Sequence, residues 1–166
     1  MGAKDLSAVN AMDLRDLYQD IILDHGQHPR NFRALEHPSH FANGHNPLCG
    51  DRVTIFLDLD GDKIRDVSFQ GRGCAISQAS ASLMTEILKG KTLAEADALF
   101  KSFHAKVTGG EEAALPPALV DDAERLEPLT GVKTYPARVK CATLAWHAFE
   151  AAIKSGAAPG ATVKTE

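Results

Sequence analysis

From Asp13 onward, Leu14, Leu17, Tyr18, Ile21 and Ile22 recur at the spacing of one helical face. Asp13 is placed to cap that helix and Pro29 lies beyond its end, so the pattern predicts a helix over 14–26. Residues 27–50 hold Pro29, Pro38, Pro47, Gly44 and Gly50 without any period and read as loop, with a short strand near 42–46. The pattern then changes to alternation: Val53, Ile55, Leu57 and Leu59 interleave with Thr54, Phe56 and Asp58. Asp60-Gly61 follows, and a second run carries Ile64, Val67 and Phe69, which predicts a hairpin turning at 60–63. Beyond Gly71-Arg72-Gly73, the residues Ile76, Ala79, Ser80, Leu83, Met84, Ile87 and Leu88 return to helical spacing, and Gly90 stops a helix over 75–89. Thr92 with Glu95 forms a capping box for a helix over 93–106, broken by Gly109-Gly110. Pro116-Pro117 can open a short helix to about 126. Cys141, Leu144, Ala145, Ala148, Ala152 and Ile153 mark a last helix from 137 to about 155.

Helix, strands and then helices, without repeated strand-helix alternation, predict an α+β fold: a small antiparallel sheet of about three strands covered by helices, with a helical insertion at 107–130 before the last helix. A chain of 166 residues has room for one core, so 1–166 reads as a single domain with flexible ends at about 1–12 and 157–166.

Composition narrows the function classes. Hydrophobic residues at 44% and charged residues at 24% place the chain among ordinary globular proteins. No apolar run approaches the roughly 18 to 20 residues of a membrane span, and residues 1–10 lack the apolar core of a secretory signal, so a cytoplasmic location is expected. The net charge of −4, with no clustered Lys and Arg, argues against nucleic acid as a partner.

Three cysteines, Cys49, Cys74 and Cys141, cannot all pair within the chain, and an odd count fits a reducing compartment. If 49–51 is extended, Cys49 and Asp51 point to one side, with Gly50 letting backbone approach closely. Cys74 stands between a glycine turn and a helix N-terminus, where free N–H groups favour a thiolate, making it the best intrinsic nucleophile of the three. Cys141 lies one turn into the last helix and shares a face with Arg138. Taken singly, each cysteine is most simply a small buried residue. Taken together, three thiolates and Asp51 supply the four ligands of tetrahedral zinc, although the spacing lacks a CxxC pair.

Three blocks around these cysteines carry a family resemblance: Asn46-Pro47-Leu48-Cys49-Gly50-Asp51, the run from Gly71 to Ser82, and Arg138-Val139-Lys140-Cys141-Ala142-Thr143-Leu144-Ala145-Trp146. Together with His28-Pro29-Arg30-Asn31 they resemble the U-type iron-sulfur assembly proteins, and within these the SufU branch. The IscU-type scaffolds that build a cluster carry His before the third cysteine and an LPPVK motif, whereas this chain has Lys140 and, before it, Tyr135-Pro136-Ala137-Arg138-Val139. Leu115-Pro116-Pro117 lies too far upstream to be that motif.

The resemblance implies a zinc site of Cys49, Asp51, Cys74 and Cys141, with Cys49 accepting sulfane sulfur from a SufS-type cysteine desulfurase and Arg138 supporting it. It implies a sulfurtransferase that delivers sulfur to the downstream iron-sulfur assembly machinery; the alternative it leaves open is a scaffold holding an iron-sulfur cluster on the same ligands. The histidines fall outside that set. His147 lies about 240° round the helix from Cys141, away from the site. His25, His28, His37, His40, His45 and His104 read as surface or ordinarily hydrogen-bonded residues. Ser77, Ser80 and Ser82 read as a small packing face, and Lys140 as a solvated side chain or a partner contact.

Overall fold

A computed structural model of the chain describes residues 11–112, 114–155 and 161–164. Helix α1 spans Ala11–Gln27, β1 His40–Asn46, β2 Asp51–Asp60, β3 Lys63–Arg72, α2 Ala75–Leu88 and α3 Leu93–Thr108. A 3-10 turn at Pro117–Leu119, α4 at Val120–Glu124 and a second 3-10 segment at Glu127–Thr134 lead to α5, Pro136–Ser155, and a final strand β4, Ala161–Lys164. The sheet order is β3-β2-β1-β4. Strands β3, β2 and β1 are antiparallel, as the alternation predicts.

Strand β2 shows why. Its inward positions Asp51, Val53, Ile55 and Leu57 are buried while Arg52 is exposed, so one face meets the helices and one meets water. The hairpin closes through Gly61-Asp62, with Asp60 opposite Lys63. Against the inner face pack α5, over β1 and β2, and α2, over β3. Leu83, Met84, Ile87 and Leu88 of α2 and Leu144, Ala145 and Ala148 of α5 close the core with Ile55, Leu57, Ile64, Val67 and Phe69. Helix α3 forms the outer layer, its Phe100 and Phe103 rings lying 5.7 and 5.5 Å from the buried Trp146.

The capping box at Thr92 and Glu95 is present in both directions, and Gly109 ends α3 in the left-handed conformation. Elsewhere the structure corrects the pattern. Helix α1 starts at Ala11, so Asp13 lies inside it rather than capping it. Its apolar face is only partly covered: Ile21 and Ile22 are half-buried, but Leu17 remains exposed. Polar contacts add to this packing: the buried His25 ring bonds Ser82 Oγ of α2 at 2.7 Å, and the N–H of Arg30, just beyond α1, donates to the same oxygen. The insertion holds more helix than expected, because Glu127–Thr134 buries Pro128, Leu129 and Val132 with 3-10 spacing. At the other end of the chain, residues 161–164, read from sequence as part of a loose tail, pair parallel to β1. The remaining end residues, 1–10, 156–160 and 165–166, lie outside the described residues. No helix among the described residues is long and apolar enough to cross a membrane.

Candidate metal centre

The four chemically suspect residues come from three elements and meet at one end of the sheet. Asp51 is the first residue of β2, and its inward register buries the carboxylate to 1% exposure. Cys49 sits just before it in a turn closed by the Gly50 N–H to Asn46 O bond of 2.8 Å. This segment is not extended, contrary to the sequence reading: Gly50 has φ +74°, a left-handed conformation that glycine adopts without strain. The reversal nevertheless brings Cys49 Sγ to 3.1 Å from Asp51 Oδ2. Cys74 is the N-cap of α2, its sulfur accepting the Ser77 N–H at 3.4 Å, and its own N–H donates to Asp51 Oδ1 at 2.9 Å. Its Sγ lies 3.6 Å from Asp51 Oδ2. Cys141, in the second turn of α5, places its sulfur 3.4 Å from that of Cys49.

Burial grades the three thiols: Cys49 is exposed, Cys74 intermediate and Cys141 buried. Their acidities separate as well. Cys74 is held down to about 6, chiefly by the neighbouring Cys141 thiol, with the Ser77 and Ile76 N–H groups of the helix start adding to it. The helix terminus invoked from sequence is therefore a secondary cause. Cys141 is pushed far upward by that same neighbour and by burial. Cys49 is also raised, first by burial and then by its hydrogen bond to the Asp51 carboxylate. Without a cation, Cys49 is a thiol at neutral pH.

The ligand atoms of Cys49, Asp51 and Cys141 all lie within 4.8 Å of one another, the one such group among the described residues. In a tetrahedral zinc site with Zn–S of about 2.3 Å, ligand atoms stand about 3.8 Å apart. The separations of 3.1, 3.4 and 3.6 Å around Asp51 and Cys49 are close to that edge length. Cys49, Asp51 and Cys141 thus fit a single zinc ion, while Cys74 stands outside that mutual group with its sulfur within reach of Asp51. Arg138 lies outside this cluster, exposed in the first turn of α5 and lining a cleft with Arg15, Tyr18 and Tyr135. His147 stands away from the cluster, packed instead on Phe100.

Two residues that the sequence reading gave no role belong to the centre. Asn46 is fully buried, and its amide donates to Cys49 Sγ at 3.0 Å and to Cys141 Sγ at 3.8 Å. Alternation along β1, in which 42, 44 and 46 are the buried positions, was the available signal for it. Gly73 lies against Asp51, and a Cβ there would strike the Asp51 carboxylate. Gly73→Ala is therefore expected to displace Asp51 and lower zinc affinity by at least about tenfold, a size typical of disturbing a ligand's support. Competition with a chromogenic chelator measures it, and an unchanged affinity would show that the carboxylate has room to move.

Residues 17–158 match the family described as NifU-like N terminal domain. The chain belongs to the NifU-like N-terminal domain family. Within this family it is 41% identical over 144 residues to the zinc-dependent sulfurtransferase SufU of Bacillus subtilis, covering 85% of this chain and 92% of that protein. It is 40% identical to the iron-sulfur cluster assembly scaffold protein IscU of Streptococcus pyogenes, covering 87% of each. Among solved structures, the iron-sulfur cluster assembly scaffold protein for the SUF system from Fervidobacterium islandicum superposes with a TM-score of 0.71 at 37% identity, over 84% of this chain and 98% of that one. The family's fold is thus the one described above, and its members' names divide between sulfur transfer and cluster building.

Proposed function

We propose that this family member is a zinc-dependent sulfur-transfer protein of iron-sulfur cluster assembly, taking sulfur from the persulfide of a SufS-type cysteine desulfurase. The observation that carries the reading is the buried Asp51 carboxylate, which receives hydrogen bonds from one N–H and from thiols but from no cationic side chain among the described residues. A buried carboxylate needs a counter-charge. Here three sulfurs stand ready to share one. The ligands of this reading are Cys49, Asp51, Cys74 and Cys141. When bound, zinc supplies a charge that keeps coordinated thiols deprotonated without redox chemistry of its own.

Exposure selects the acceptor. Cys74 is the most acidic thiol, but it caps α2 and is half-buried, whereas Cys49 is exposed beside the left-handed Gly50. In the transfer, the Cys49 thiolate attacks the outer sulfur of the desulfurase persulfide. A new S–S bond forms at Cys49, the old one breaks, and the desulfurase cysteine leaves as a thiolate, so no external oxidant is needed. Arg138 offers an exposed guanidinium without a side-chain partner among the described residues, suited to steadying the anionic persulfide. Cys49→Ser is expected to reduce desulfurase stimulation to the level of the desulfurase alone and to abolish the gain of one sulfur atom in the protein's mass. Sulfur uptake at the normal rate in that variant would overturn the assignment.

A second reading, a scaffold that holds the cluster itself, is favoured by the 40% identity to a protein named as one. Lys140 in place of the histidine of the scaffold pattern speaks against it. Metal analysis after purification without added metal separates the two. Zinc near one per chain without sulfide supports transfer, and iron with equal sulfide supports the scaffold.

A further inference from the structure

Outside the cysteine cluster, two imidazoles meet in a cleft of about 410 Å³ between α3 and α5. His104 of α3 and His147 of α5 have ring centroids 5.8 Å apart at 81°, and both stand edge-on to Phe100, at 5.9 and 5.3 Å. Both rings are half-buried. Two helices thus hold two imidazoles side by side, packed on Phe100, with no side-chain hydrogen bond to their ring nitrogens among the described residues. Glu150 follows His147 by one helical turn and lines the same cleft, as does Glu111 from the segment after α3.

We propose that His104 and His147, with Glu150, form a second metal site for a divalent first-row transition ion, separate from the cysteine cluster. Geometry supports it. With Zn–N of about 2.0–2.1 Å, an ion lies about 3.2 Å from the centroid of each imidazole it binds, and two such rings stand roughly 5 to 6 Å apart for N–Zn–N angles from tetrahedral to somewhat wider. The observed 5.8 Å lies inside that range. Imidazole with carboxylate is a donor set that suits zinc, nickel, copper and iron and does not suit calcium or magnesium.

The carboxylate arm is not yet in place. Glu150 holds Lys154 at 2.9 Å, an exposed pair of the kind that contributes little, and its release frees Glu150 to turn toward the rings. Lys101, the cationic side chain lining the cleft, is already paired with Asp97 at 2.9 Å. His147 follows Cys141 by six residues, about 9 Å along α5 and on another face, so the two sites share no ligand.

The test is a Zn²⁺ titration of the full chain whose cysteine-site metal content has first been measured, followed by calorimetry and by the ring-nitrogen NMR signals of the histidines. One additional equivalent is expected, with the His104 and His147 signals shifting together. His147→Phe, which keeps an aromatic ring against Phe100, and His104→Gln should each weaken that equivalent by about tenfold or more. Unchanged circular dichroism and unchanged cysteine-site metal certify that the variants fold. Absence of an additional equivalent, or one of equal affinity in folded His147→Phe, overturns the proposal. Because only metal beyond the cysteine-site content is counted, the result stands whatever ion that cluster carries.

Discussion

If the cluster holds zinc as proposed, changing Cys141 to serine is expected to cost the chain that ion. Cys141 is the buried member of the cluster, 2% exposed, and it touches Cys49, the Asn46 amide and the Ala137 carbonyl. Structural zinc in small domains binds with about 10–16 kcal/mol, so an even share for one ligand of four is roughly 3 kcal/mol, a factor of about a hundred or more. A serine hydroxyl stays protonated at neutral pH and does not replace that share. Zinc content after dialysis against a weak chelator should fall well below one per chain, while the circular dichroism of the fold is retained because the core around α5 is untouched. A variant that kept stoichiometric zinc would remove Cys141 from the ligand set.

The largest loss of stability is expected from Trp146→Ala. Its ring is fully buried, stacked on Phe100 and packed at a tilt against Phe103. Deleting a buried aromatic side chain costs about 3–5 kcal/mol, which is a large share of the stability of a domain this size. Trp146→Phe should cost much less, within about 2 kcal/mol, because the indole Nε1 has no hydrogen-bond partner and its removal relieves a buried orphan. Urea unfolding of both variants measures the contrast. Equal losses would show that a phenyl ring does not fill the site better than the void alanine leaves.

Most of the architecture was legible because each element buries one face through a local rule. Alternation marked β2 and β3, helical spacing marked α2 and α5, and the Thr92 and Glu95 pair marked the start of α3 to the residue. The elements that escaped are those whose partners are remote. Strand β4 is four residues long and exists by pairing with Ala42 to His45, more than a hundred residues earlier. Glu127–Thr134 follows a 3-10 period interrupted by Pro128 and Gly131, which a search for 3.6-residue spacing passes over. In α1 the period was right, but the surface it covers is narrower than its apolar stripe, and Leu17 stays in water. At the centre, the sulfur and carboxylate donors stood out because their chemistry is rare. Asn46 and Gly73 did not, since an amide and a missing side chain acquire meaning only once Cys141 and Asp51 are beside them.

The three origins of the cluster bear on how the chain folds. Cys49 meets Cys141 across 92 residues, and Asp51 meets Cys74 across 23, so none of these contacts is local. Closing loops of such length costs conformational entropy that a single ion gripping an unfolded chain would have to offset before any core had formed. The donors converge only after β2, α2 and α5 have docked. If the cluster holds zinc as proposed, ion capture is expected to follow the docking of these elements, and the rate at which denatured chains take up zinc on dilution should track the assembly of the hydrophobic core.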